Sequence, residues 1–250
     1  IDRRYFDPIP GTNVYDDRSD RVGLGALALV HDNANWGLTG PVSGRRYRVN
    51  FEIAPEGLSE GIAYQALTMD VRQYVRIGGR YSLGLRLAGG ASGGSNPKRF
   101  YLGGVSNWVG SNISRSSDVY DVGGLYFSQV VTPFRGYDYY AISGNKFVLA
   151  NAEFRFPFVD YLQMRFPLPM VFSRVGGALF TDIGSAWTAD RFRGASTADG
   201  FRLKDIRMSF GYGLRANLGF VLLRFDQAWR TDLHTIAKRP AFYFSLGADY

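Results

Sequence analysis

Strict alternation of apolar and polar residues constrains this chain more than any other feature. Leu83, Leu85 and Leu87 alternate with Ser82, Gly84 and Arg86, and Leu67, Met69 and Val71 with Thr68, Asp70 and Arg72. The same holds for Tyr47, Val49, Phe51 and Ile53, for Met208, Phe210, Tyr212 and Leu214, and for Phe242, Phe244, Leu246 and Ala248. A period of two belongs to strands with two unlike faces. It predicts an all-β, antiparallel fold of about nine strands, near 22–31, 45–54, 63–75, 80–89, 145–156, 174–187, 205–218, 220–229 and 240–250. Residues 1–21 read as an irregular lead-in or the end of an upstream loop, and 22–250 as one barrel domain. A long loop spans 90–144. The connection 157–173 is also long and opens on Pro157.

Alternation alone does not say which face is inside. Two features favour a transmembrane barrel over a soluble one. The polar face mixes charges of both signs with small residues, a set that can line a wet lumen. Aromatic residues crowd the strand ends, among them Tyr47, Tyr74, Tyr81, Phe154, Phe156, Trp187, Trp229 and Tyr250, as in an interfacial belt. A closed barrel also satisfies every backbone group in lipid. No run of 18 apolar residues is present, so no helix is predicted to span the membrane.

Composition narrows the chemistry. The chain has no cysteine and two histidines, His31 and His234, which leaves little for a metal site, a thiol or a histidine base. No cofactor is indicated. The net charge is +7, but the arginines are spread singly through strands, with only Arg45, Arg46 and Arg48 close together. Nucleic-acid binding is therefore not expected. Gly90-Ala91-Ser92-Gly93-Gly94 matches a nucleophile-elbow pattern without the helix that must follow it. Gly211-x-Gly213-x-x-Ala216 matches a dinucleotide fingerprint inside an alternating strand. Both read as small residues packed in a strand, and no enzymatic role is expected.

Four motifs, in order along the chain, carry a family resemblance. Phe100-Tyr101-Leu102-Gly103-Gly104 looks like the start of a long inward loop, and Phe134-Arg135-Gly136-Tyr137 like its tip. Phe180-Thr181-Asp182-Ile183-Gly184 looks like the wall motif that follows, and a last strand with Phe244, Leu246 and a final Tyr250 looks like an assembly signal. Together they resemble the C-terminal half of the bacterial surface antigen, or outer-membrane protein-insertion barrel, superfamily. That superfamily includes the outer-membrane assembly barrel and the two-partner-secretion transporters. The resemblance implies a sixteen-stranded barrel of which these are the last nine strands, the rest lying upstream of Ile1. Ile1-Asp2-Arg3-Arg4 is not a signal peptide. No polypeptide-binding repeats of the kind that often precede such barrels are visible.

The resemblance further implies that the loop 90–144 folds into the lumen and that Arg135 meets Asp182. A secluded guanidinium cannot shed its charge and needs a carboxylate. Asp182 shares its strand face with Ala178 and Gly184, which leave room for a loop. Glu153, Asp70 and Asp226 are the other inward carboxylates, and Glu153 is expected to share the guanidinium. Gly136 should let the tip turn tightly, and Tyr137 should pack on the small residues nearby. The alternative is an exposed loop tip that meets only water.

Three functions remain open. One is a barrel in the bacterial outer membrane that assembles or transports polypeptides, with lipid and unfolded outer-membrane or secreted chains as its partners. Another is a passive anchor or pore for an upstream propeller or enzyme domain. The third is a soluble ligand-binding barrel.

Overall fold

A computed structural model turns the alternating segments into one antiparallel sheet. It describes residues 2–8, 15–21, 23–37, 39–58, 62–112, 132–167, 170–188, 192–196, 201–218 and 221–247. The strands in chain order are β1 (Asp2–Pro8), β2 (Tyr15–Arg21), β3 (Gly25–Asp32), β4 (Asn35–Gly37), β5 (Gly40–Ala54), β6 (Tyr64–Arg76), β7 (Ser82–Gly94) and β8 (Phe100–Leu102). They continue as β9 (Ile142–Gly144), β10 (Lys146–Met164), β11 (Met170–Trp187), β12 (Ala195–Ser196), β13 (Arg202–Leu203), β14 (Arg207–Asn217), β15 (Leu222–Thr231) and β16 (Ala241–Leu246).

The large sheet runs β3-β5-β6-β7-β10-β11-β14-β15-β16, with β4 added beside β5. These nine long strands are the nine read from periodicity. Each is paired antiparallel to the next, so sequence neighbours among the nine are sheet neighbours, even across the long loop between β7 and β10. Among the described residues the sheet is open, with β3 and β16 at its edges, and does not close into a barrel.

Three boundaries differ from the sequence reading. Residues 1–21, read as irregular, contain the hairpin β1–β2. Its sequence is charged throughout, so it offers no apolar alternation to read. The connection 157–173 is mostly strand, because β10 and β11 run far beyond the neighbouring strands. Pro157 is accommodated where the β10–β11 register shifts between Pro157 and Val159, the kind of irregularity that admits a proline within a sheet. The long loop starts at residue 95 rather than 90, since β7 continues to Gly94.

The two faces of the sheet have opposite chemistry. Leu27, Leu29, Phe51, Leu67, Met69, Leu85, Leu87, Leu179, Tyr212, Leu214, Phe225 and Phe242 are exposed on the outer face. Glu153, Asp182, Ser209, Arg215, Arg224, Asp226 and Ser245 are buried on the inner face. A water-soluble sheet would have this the other way round. Each large apolar side chain left in water forgoes about 1.5–3 kcal/mol of burial, and a continuous apolar face of this extent marks a surface that something apolar covers. Tyr74 departs from the aromatic-belt reading. It lies on the inner face, 6% exposed, with the Arg155 guanidinium 5.8 Å from its ring centroid. It shares the parity of Asp70 and Arg72, which explains its direction.

Candidate functional site

The long loop returns across the inner face of the sheet. Its stem is the β8–β9 pair, where Phe100, Tyr101 and Leu102 face Gly144, Ser143 and Ile142. Phe100 and Leu102 are buried with Phe134, Phe147, Leu149 and Ala88, so an apolar plug seats the stem against β7 and β10. The two loop motifs lie side by side. Thr132 N–H donates to the Tyr101 carbonyl (2.8 Å), Gly103 N–H to Thr132 (3.1 Å), Phe134 N–H to Gly104 (3.1 Å) and Gly104 N–H to Tyr137 (2.8 Å).

This scaffold aims Arg135 at the wall. Its Nε donates to Asp182 Oδ2 (2.8 Å) and its Nη2 to Asp182 Oδ1 (2.7 Å), a two-pronged contact that matches the planar guanidinium to the carboxylate. Nη1 donates to Glu153 Oε2 (2.6 Å), and the Arg135 amide reaches Asp182 Oδ2 at 3.2 Å. The guanidinium carbon lies 3.5 Å from the centroid of the Phe180 ring. Such a cation–ring contact contributes about 2 kcal/mol when desolvated. All three charged side chains are nearly closed to solvent.

The rest of the tip is tied down through its backbone. Ser209 Oγ donates to the Arg135 carbonyl (2.6 Å), Arg230 Nε to the Gly136 carbonyl, and the Tyr243 hydroxyl to the Tyr137 carbonyl (3.0 Å). One turn of loop therefore touches β10, β11, β14, β15 and β16, five consecutive wall strands. Gly136 makes this possible. Its φ is +92°, and a Cβ there would lie 2.8 Å from the Ser209 Cβ.

Further charges extend the contact into a network. Arg155 Nε donates to Glu153 Oε1 at 2.7 Å, and Arg215 Nη2 lies 3.6 Å from Glu153 Oε2. Asp226 is held by Arg215 at 2.8 Å and approached by Arg224 at 3.6 Å. Four arginines thus share three carboxylates in a small volume, so no carboxylate there lacks a cation. Asp70, also considered as a partner for Arg135, instead binds Arg72 (2.9 Å) and Arg86 (2.6 Å).

The structure therefore brings Arg135, Asp182, Glu153, Gly136, Phe134 and Phe180 together, with Gly103 and Gly104 just past the end of β8, beside the tip, where Gly104 bridges to Phe134. Gly184 sits further along the same face of β11, where a Cβ would press on the Val148 carbonyl at 2.7 Å. Tyr137 does not lie on small residues. Its ring stacks on Phe134 (centroids 4.9 Å apart) and under Arg230 at 4.7 Å. Phe244 and Leu246 point to the outer face, and Tyr250 lies outside the described residues. The two pattern matches are structural. Ser92 Oγ donates to the Gln65 carbonyl and accepts from the Lys98 amide, and Gly211 and Gly213 lie within β14. Ser209, Arg230 and Tyr243 escaped the sequence reading; each is an inward position on a strand already identified.

The sheet is antiparallel, apolar outside and charged inside, with an arginine-tipped loop on its inner wall, as the family resemblance implies. The family model for the Omp85 superfamily domain matches residues 4–250, and the chain belongs to the Omp85 superfamily. No curated protein matches the chain.

Proposed function

We propose that the nine-stranded sheet is part of a closed β-barrel in the bacterial outer membrane that inserts or translocates polypeptides, with the loop locked inside by Arg135. The observation that carries this reading is the Arg135 fork on Asp182, shared with Glu153, on the inner face of a sheet whose outer face is apolar. Closure requires that the β3 and β16 edges be joined, directly or through further strands, because an open edge in lipid leaves backbone groups without partners. The role is not enzymatic. The inner groups are mutually neutralised charges that hold a loop in place. Work on a client is done where the seam at β16 opens, its edge then offering hydrogen bonds to an extended chain by strand addition. The partners are membrane lipid and unfolded polypeptide.

The test is deletion of Phe244–Tyr250 from the full-length protein, followed by localisation and by insertion of an unfolded outer-membrane client into liposomes. Loss of both membrane assembly and client insertion is expected, with synthesis unchanged. Normal assembly of the truncated protein overturns the family role of the last strand. A wild-type protein that resides in the membrane but inserts no client points instead to a passive anchor or pore.

A further inference from the structure

The inner face is crossed a second time, at the end opposite the long loop. There the β4–β5 hairpin pairs Trp36 with Pro41 and Gly37 with Gly40. This is the end of the short turns. Gly44, early in β5, faces Tyr74 near the end of β6, and Arg155 faces Ser82 at the start of β7. Short turns face the periplasm in outer-membrane barrels.

The hairpin tip does not stay over its own strand. Gly40 and Pro41 are buried, and the Pro41 carbonyl accepts from Arg155 Nη1 at 2.8 Å. Arg155 belongs to β10, three strands away from β5 in the sheet. Thr39 reaches one strand further, since a Cβ at Gly176 of β11 would lie 3.4 Å from its Oγ1. At about 4.8 Å per strand, the tip crosses about 14 to 19 Å of wall measured along the sheet. Gly40 admits the arginine. Its φ is +139°, and a Cβ there would lie 3.1 Å from Arg155 Nη1.

We propose that residues 39–41 form a strap across the short-turn end of the lumen, latched by Arg155, and that Glu153 couples the strap to the Arg135 lock so that loop and strap loosen together. The proposal rests on the lock and the barrel reading above and needs no client insertion.

The coupling lies in one carboxylate. Glu153 Oε2 accepts from Arg135 Nη1 at 2.6 Å, and Oε1 accepts from Arg155 Nε at 2.7 Å. A guanidinium is planar, so fixing Nε on Glu153 also fixes the direction of Nη1, which then meets the Pro41 carbonyl. When Arg135 leaves, Oε2 loses its partner, and the carboxylate turns toward the arginines that stay, Arg155 and Arg215, the latter 3.6 Å away. Arg155 is thereby drawn off its line to Pro41. Little else holds the tip. A cavity of about 210 Å³ separates it from the wall, lined by Thr39, Gly40, Arg155, Val159, Val175 and Gly176.

The chain has no cysteine, so an introduced thiol reports on its own site. In the full-length protein in detergent micelles, Thr39→Cys should react with a small maleimide far more slowly than Arg80→Cys, which sits exposed at the same end. Thr39→Cys with Gly176→Cys should form a disulfide, as their closeness allows. Arg155→Gln should speed labelling of Thr39→Cys at least about tenfold, the shift expected from losing a hydrogen bond to a charged group. Should that variant fail to assemble, Arg155→Lys gives the same reading, because it keeps a charge for Glu153 and loses the second arm. Arg135→Ala, on the loop, should speed the labelling too. Labelling of Thr39→Cys at the Arg80→Cys rate in the otherwise unchanged protein, or no disulfide, overturns the strap. If Arg135→Ala lowers thermal stability but leaves the labelling unchanged, the coupling is overturned. If it changes neither, the lock itself falls.

Discussion

Arg135 concentrates the site into one side chain. It places two donors on Asp182 and one on Glu153, its backbone is held by Ser209, and its guanidinium lies on Phe180. Removing one partner of such a secluded pair leaves a charge uncompensated, which costs about 3–5 kcal/mol in a dry site and less where lumen water reaches it. Because the groups act as a unit, Arg135→Ala and Asp182→Ala should not add. A double-mutant cycle on thermal stability of the full-length protein should show a coupling of about 0.5–3 kcal/mol, and Arg135→Lys should recover only part of it, since an ammonium lacks the fork. Simple additivity contradicts the lock. Arg135 and Asp182 were legible because each stands in a short motif, and Phe180 was legible in principle because it lies two residues from Asp182 on the same strand face. Ser209, Arg230 and Tyr243 were not. Which wall strand lies beneath a loop tip is set by how the loop crosses the sheet, and no local pattern encodes that. The same gap explains Tyr137, whose sequence neighbourhood does not show that Phe134 folds back beneath it.

At the level of elements, the period of two gave all nine long strands, but it left the choice of face open. The structure resolves that choice through the exposure of Leu85 and Leu87 against the burial of Ser82 and Glu153. Leu85→Arg should therefore cost about 2–4 kcal/mol near the bilayer midplane, measured as the equilibrium stability of the protein refolded into vesicles. Gly84→Arg should act differently, since a side chain there meets Tyr74 at 3.5 Å and Arg155 at 3.7 Å. Equal costs at the two sites would contradict the assignment of faces. Strand ends were less legible than strand centres. Pro157 reads as a breaker, and only the register shift beside it lets β10 continue to Met164. The turn after β15 carries a separate, pH-dependent prediction. Asp232 accepts hydrogen bonds from the Thr235 amide (2.6 Å) and the His234 amide (3.0 Å), and it pairs with Arg202. These donors, the Thr235 amide first, hold its carboxyl well below the usual carboxylate range. A carboxyl lowered on folding stabilises above its unfolded pKa and loses that contribution as pH falls through the folded value. Hydrogen-exchange protection of the Thr235 amide should thus survive titration through about pH 4, where free carboxylates protonate, and fade only in stronger acid. Asp232→Ala should remove the protection at every pH. Protection lost together with ordinary carboxylate titration would contradict the turn geometry.

At the scale of the whole molecule, the sheet has its charges and its loop on one side and its apolar side chains on the other. Many of its 29 lysines and arginines are absorbed by that arrangement, as Arg72, Arg86, Arg135, Arg155 and Arg215 show by pairing with inner-face carboxylates. The lock and the proposed barrel both depend on this orientation. The most direct test is a nitroxide scan through positions 82 to 87 of the full-length protein in bilayers, read as collision with lipid-dissolved oxygen. The account predicts peaks at 83, 85 and 87 and minima at 82, 84 and 86. Peaks at the even positions, or no alternation at all, would contradict it.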